Sequence, residues 1–264
     1  MTRTLRPGTG SPRLLVASGP GAMSATAADL VVAGITGALG ARGVAHVALT
    51  GGSSASGLYR ALREPSRLTA VDWSRVHLWF GDDRVVPLEH ADSNAGLAQR
   101  ELLGGRGPAV PEANFHAMLA GVDTTRADAG AVAAARYEAE LAIIPTDDDG
   151  VPVLDLLLMG MGPDGHVLSV FPGSPALAPG APLVVAIPAP THVEPSLPRV
   201  TLHPAVIASA RSVLLVVGGA AKATVVADVL EDDPAIETYP ARLARIDTAT
   251  WLLDPRCAGG LVFG

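Results

Sequence analysis

Short apolar runs alternate along this chain with alanine-rich stretches, and glycines stand at most of the junctions. The runs at 13–18 (RLLVAS), 44–50 (VAHVALT), 75–80 (RVHLWF), 154–159 (LDLLLM), 212–217 (SVLLVV) and 249–254 (ATWLLD) are predicted strands. The stretches at 24–43, 53–63, 93–103, 124–142 and 220–230 are predicted helices, the first with Ser24 as its N-cap and Gly43 as its stop. LDLLLM is apolar throughout its last four residues, the pattern of a strand covered by helices on both faces. Strand, glycine and helix in repetition imply an α/β fold of three layers, with a largely parallel sheet flanked by helices on both faces. The stretch 172–198 is proline-rich and is predicted to be irregular.

No linker or internal repeat divides the pattern, so residues 13–264 are expected to form one domain. Residues 1–12, rich in Gly, Pro, Ser and Thr with no acid, are expected to be a disordered tail. A composition 48% hydrophobic and 17% charged excludes a disordered chain. The net charge of -7 argues against nucleic acid as a partner, and the apolar runs are too short for a membrane span. The one cysteine, Cys257, has no internal disulfide partner, which fits a reducing, cytoplasmic setting. The sequence leaves monomer and homodimer equally open.

In a Rossmann-like sheet of this kind, ligands sit beyond the carboxyl ends of the strands. That rule selects Gly51–Ser54, Gly81–Pro87, Gly160–His166, the stretch around Arg199, and Gly218–Lys222. The third segment reads Gly160-x-Gly162-x-x-Gly165, superficially a dinucleotide fingerprint. The fingerprint needs a long helix after its third glycine and an acid about 20 residues on. Here Pro172-Gly173 interrupts first, and no acid follows until Glu194 in the proline-rich stretch. A nucleotide cofactor is therefore not expected. Nor is a metal, since no His/Cys/Asp cluster has ligand spacing, and no G-x-S-x-G elbow is present to seat a serine nucleophile.

Gly51, Gly52 and Ser53 lie between a strand and a helix start, where backbone N–H groups and the helix dipole favour an anion. Lys222, the only lysine beside eighteen arginines, opens another helix after a glycine pair and can bring a compact positive charge to the same anion. Among the histidines, His46 and His77 fall inside strands, His90 and His116 in loops away from the strand ends, and His192 in the proline-rich connection. His166 follows a strand end, an aspartate and a glycine, so it is the leading candidate for acid–base work, with His203 second. Asp164 can orient His166, contact a substrate or shape the turn. Of Asp82 and Asp83, one is expected to face the cleft and the other to tie the loop, by pairing with Arg84. Asn94 either binds a ligand or caps the helix that starts near Ser93.

MGMGPDGHVLSVFPGS (159–174) resembles the G-x-G-x-D-G-H-x-x-S-[LV]-F-P-G signature of the 6-phosphogluconolactonases, within the glucosamine-6-phosphate isomerase superfamily. ALTGGSSASGLYRAL (48–62) is similar to the family's GGS phosphate loop. WFGDDRVVPLEHADSNAGLAQREL (79–102) is similar to its G-D-E-R-x-V-P…D-S-N block, with Asp83 where Glu is usual. PRVTLHPAVI (198–207) and GGAAKATVV (218–226) resemble its remaining segments, and the blocks run in family order across roughly residues 13–255.

The resemblance implies hydrolysis of 6-phospho-D-glucono-1,5-lactone, with His166 as base and then acid and Asp164 beside it. It implies a substrate phosphate near Ser53, Arg84, Arg199 and Lys222, further contacts from Gly51, Gly52, Asp82, Asn94 and Gly165, and no cofactor or metal. The superfamily's isomerases and deaminases typically carry a glutamate just after the histidine. This chain has Phe171-Pro172-Gly173 there and no acid between Asp164 and Glu194. A non-catalytic sugar-phosphate sensor built on the same pocket is the remaining alternative.

Overall fold

The computed structural model describes residues 8–261. The strands are β1 (Arg13–Val16), β2 (Ala45–Leu49), β3 (Val76–Phe80), β4 (Asp82–Arg84), β5 (Leu156–Met159), β6 (Val184–Ile187), β7 (Arg199–Leu202), β8 (Val213–Val217) and β9 (Ala249–Leu253). The α-helices are α1 (Pro20–Arg42), α2 (Gly52–Leu62), α3 (Pro65–Leu68), α4 (Asn94–Ala98), α5 (Ala129–Glu140), α6 (Ala205–Ser209) and α7 (Ala223–Glu231). Six strands form one sheet in the order β1-β9-β8-β5-β2-β3. Every pairing in it is parallel. The central strands are apolar because helices flank the sheet: β2, β5 and β8 are buried along their whole length.

The second sheet departs from expectation. β4, β7 and β6 form a three-stranded antiparallel sheet. The stretch 172–198, predicted to be irregular, thus contains a strand. Its residues Val184, Val185 and Ile187 are buried, and α5 packs on it. β4 is the segment Asp-Asp-Arg, which no hydrophobic pattern would reveal.

Element boundaries differ for local reasons. α1 starts at Pro20, not after Ser24, because a proline at the first helical position needs no N–H partner there. Gly43 ends it as expected, in the left-handed conformation, donating its N–H to the Leu39 carbonyl. By length and composition α1 could cross a membrane, yet its stripe Ala27, Ala28, Val31, Ile35 and Ala38 is buried and it packs against α2, β2, β5 and β9. α5 begins at Ala129, five residues later than predicted. Asp123 accepts from both the N–H and the hydroxyl of Thr125, and that local turn holds the preceding residues out of the helix. Of the tail expected over 1–12, residues 1–7 lie outside the described residues. The next stretch is tied down: the Gly10 N–H donates to the Arg245 carbonyl at 2.9 Å and the Ser11 N–H to Asp247 at 2.8 Å.

Candidate active site

The carboxyl ends of β2, β5 and β8 open on one cleft of about 190 Å³. Thr50 to Ser54, Asp82, Arg84, Asn94, Gly160 to Gly162, His166, Leu168, Arg199 and Lys222 line it. Of the residues singled out from the sequence, Gly51, Gly52, Ser53, Asp82, Arg84, Asn94, His166, Arg199 and Lys222 therefore come together. Asp164, hydrogen-bonded to His166, and Gly165, packed against Tyr239, do not line the cleft.

The β2–α2 corner is built by close approach. Tyr59, fully buried on α2, donates its hydroxyl to the Thr50 carbonyl at 2.5 Å and so ties the helix to the end of its own strand. A Cβ on Gly51 would collide with Oδ1 of Asn94, so a larger residue there would push the Asn94 amide off its hydrogen bonds to Asp82 and Arg84. Among the described residues no side chain caps α2, and its first turn, Gly52 to Ser54, faces the cleft. An uncapped helix start of this kind suits an anion.

The β5 loop carries the imidazole. His166 is partly buried, with 15% of its side chain exposed, and its Nδ1 lies 2.6 Å from Oδ1 of Asp164. The same carboxylate oxygen accepts the His166 backbone N–H at 3.3 Å. A carboxylate acceptor assigns the proton to Nδ1 and leaves Nε2 as the basic nitrogen. Burial alone would raise the Asp164 carboxyl, but the hydrogen bond and charge of His166, with a second hydrogen bond from His192, hold it well below the usual carboxylate range. Gly162 is the glycine this arrangement needs, because a Cβ there would overlap the His166 ring and come within 2.5 Å of Asp164 Oδ1. The Gly-x-Gly pattern thus makes room for an imidazole instead of a pyrophosphate. Leu168, at φ 55, is held in the left-handed region, which costs an ordinary residue about 1 kcal/mol, inside a turn closed by the Val170 N–H on the Val167 carbonyl at 2.9 Å.

Of the two adjacent acids, Asp82 faces the cleft and Asp83 ties the loop. Asp83 accepts the backbone N–H groups of Arg84, Asn94 and Ala95 at 2.8, 2.6 and 3.0 Å, and the Ser93 hydroxyl at 3.3 Å. Burial nevertheless pushes its carboxyl up to about 6 against those hydrogen bonds. The expected side-chain pairing of Asp83 with Arg84 does not occur. The Arg84 guanidinium reaches instead to the Asp92 carbonyl and Asn94 Oδ1, because Asp83 is already occupied by the start of α4. Nor does Asn94 cap that helix: Ser93 does, accepting the Gly96 N–H at 3.0 Å. The Asn94 amide is spent on the Asp82 carbonyl at 2.8 Å. The Ser169 hydroxyl donates to Asp82 Oδ2 at 2.5 Å.

The cations converge from three elements. Arg84 and Arg199 are register partners across β4 and β7, a like-charged pair that an anion between them would relieve. Both Nε atoms are buried and have no hydrogen-bond partner among the described residues. Arg199 was expected after a strand end. It is the first residue of β7, which runs antiparallel to β4 and so brings its beginning to the cleft. Burial, and then the neighbouring Arg84, press its charged form. Lys222 closes a 3-10 turn, Ala220–Lys222, ahead of α7, and makes no ion pair among the described residues. Burial pushes its ammonium group down from the ordinary value. Asp254, at the end of β9, fixes this turn by accepting the Gly219 N–H at 3.0 Å.

His203, second among the imidazoles by position, is buried and accepts the Ala205 N–H at 3.2 Å; it does not line the cleft. His192, which its place in the proline-rich connection does not mark out, touches the site through Asp164. Its only sequence signal was a histidine within a loop next to a matched block. Among the described residues no group of three His, Cys, Asp or Glu side chains is disposed to hold a metal ion.

Comparison with known proteins places the chain in a family. The chain is 38% identical over 256 residues to a 6-phosphogluconolactonase of Streptomyces coelicolor, covering 95% of each. It is 38% identical over 224 residues to one from Mycobacterium leprae, covering 85% of this chain and 88% of the relative. Among solved structures, the 6-phosphogluconolactonase of Trypanosoma brucei superimposes with a TM-score of 0.84 at 29% identity, covering 96% of this chain and all of that one. A monomeric glucosamine-6-phosphate deaminase superimposes with a TM-score of 0.73 at 18% identity, covering 94% of this chain and all of that one, which is likeness of fold alone. Residues 18–252 match the family described as glucosamine-6-phosphate isomerases/6-phosphogluconolactonase, and the chain belongs to that family.

Proposed function

We propose that the protein is a 6-phosphogluconolactonase, hydrolysing 6-phospho-D-glucono-1,5-lactone to 6-phosphogluconate in the oxidative branch of the pentose phosphate route. The observation that carries the reading is one cleft with a carboxylate-oriented imidazole, His166, and three cations, Arg84, Arg199 and Lys222, on its walls. In this reading the phosphate is held by the first turn of α2 and the cations. Nε2 of His166 takes a proton from water as the oxygen attacks the lactone carbonyl, and backbone N–H groups or an arginine stabilise the oxyanion. The ring C–O bond then breaks, and the proton on His166 passes to the departing ring oxygen. Asp164 stays ionised and stabilises the imidazolium between the two transfers. A lactone is already a reactive ester, so a positioned base suffices without a covalent intermediate.

The one cysteine, Cys257, is buried, which is compatible with a reducing cytoplasmic setting. The deciding experiment is an assay of purified protein at mildly acidic pH, where spontaneous lactone hydrolysis is slow. Accelerated hydrolysis of the phosphorylated lactone is expected. Release of ammonia from glucosamine 6-phosphate would favour the deaminase branch, and phosphosugar binding without turnover a sensor.

A further inference from the structure

Asp164 does not serve His166 alone. Its second oxygen, Oδ2, lies 3.0 Å from Nε2 of His192, which comes from the loop joining β6 to β7. The Phe171 ring is wedged among these groups, with its centroid 4.6 Å from that of His166 and 5.7 Å from that of His192. The Arg199 guanidinium lies 5.3 Å from the same centroid. The loop that presents His192 is braced at two points. The Ser196 hydroxyl donates to the Pro190 carbonyl at 2.7 Å, and Arg199 donates to the Pro195 carbonyl at 3.1 Å. His192 is half-exposed, does not line the cleft, and has no other side-chain hydrogen bond among the described residues.

From this geometry we infer that His192 is a positioning residue for the hydrolytic reaction, locking the Asp164 carboxylate in the orientation that holds His166 for proton transfer. A carboxylate bound through one oxygen can swing about its side-chain torsions. Bound through both oxygens, it cannot turn without breaking a charge-assisted hydrogen bond. The task is to hold Asp164 Oδ1 on His166 Nδ1, so that the basic nitrogen keeps a fixed aim at the reacting carbonyl. His192 itself touches neither substrate nor transferred proton. Its contribution belongs to kcat, whereas a residue that grips the phosphate belongs to KM.

This inference rests on His166 being the base, and the experiment separates the two. Lactonase kinetics are measured for the wild type, His166→Ala, His192→Phe and His192→Gln. The glutamine keeps an N–H donor about where Nε2 stands; the phenylalanine keeps the ring and loses the donor. His192→Phe is expected to lower kcat roughly tenfold, the effect of one charge-assisted hydrogen bond, with KM within about twofold. His192→Gln is expected to recover most of that loss. Equal activity of His192→Phe and wild type would overturn the inference, as would equal losses in both variants or a loss confined to KM. Full activity of His166→Ala would overturn the underlying reading instead.

Discussion

Replacing Gly162 by alanine probes the geometry of the site without removing any functional group. The added Cβ would overlap Cε1 and Nδ1 of His166 and reach within 2.5 Å of Asp164 Oδ1. Non-bonded carbon atoms are comfortable at about 3.5–4.0 Å, so the imidazole must retreat by about 1 Å or more, or break its bond to Asp164. The atoms in the way belong to side chains, not to packed backbone. The fold can therefore yield cheaply, and the cost in stability should stay within about 1–2 kcal/mol. The cost in rate is larger, because a displacement of about 1 Å at a reacting group can remove some 10²-fold. We expect Gly162→Ala to lower kcat about 100-fold, with a KM close to wild type and a folded circular-dichroism spectrum. The loss should act through the imidazole, so adding Gly162→Ala to His166→Ala should change little more. Wild-type kcat in the single variant, or a further full 100-fold loss in the double variant, would refute the reasoning.

Two further expectations concern charge. Lys222→Ala should raise KM for the phosphorylated lactone about 10- to 100-fold, the worth of one charge-assisted contact, and leave hydrolysis of unphosphorylated gluconolactone nearly unchanged; equal effects on both substrates would remove Lys222 from the phosphate site. The second concerns the opposite end of the sheet. There His116 stacks on Trp79 at 3.7 Å and its Nε2 lies 3.0 Å from Nδ1 of His77. Burial, and then the neighbouring His77 and His46, push the His116 imidazole down to about 4. The unfolded chain therefore binds this proton more readily than the folded one between about pH 6.5 and 4. Stability from the neutral ring is complete above that window and is lost as the pH falls through it. Allowing for partial exposure, the loss is about 2 kcal/mol. Asp83, raised by burial, acts in the opposite sense as the pH falls through about 6. The informative quantity is hence the difference between wild type and His116→Asn in urea denaturation at pH 7.5 and pH 5. The variant should lose less stability on acidification, and identical losses would contradict the argument.

The parallel sheet could be read from the sequence because strands covered on both faces must be apolar throughout, and β2, β5 and β8 are. The antiparallel sheet was hidden for two different reasons. β4 is made of Asp82, Asp83 and Arg84, whose side chains serve the cleft and α4 rather than a core. β6 is flanked by Pro182 and Pro188, which made an ordinary apolar strand look like loop. Within the site, His166 and Lys222 were legible from position, since strand ends and helix starts face one another in such a fold. The separate fates of Asp82 and Asp83 were not, because they depend on where α4 begins. His192 was invisible for a related reason: its partner Asp164 lies 28 positions away, and only the folded loop brings them together.

The central claim is that the His166 imidazole, oriented by Asp164, performs the proton transfers while other groups hold the substrate. It is tested most directly by measuring lactone hydrolysis and 6-phosphogluconate affinity on the same preparation of His166→Ala. The account predicts a fall in kcat of about 10²- to 10⁴-fold with product affinity largely retained. Retained turnover, or loss of binding in place of catalysis, would contradict it.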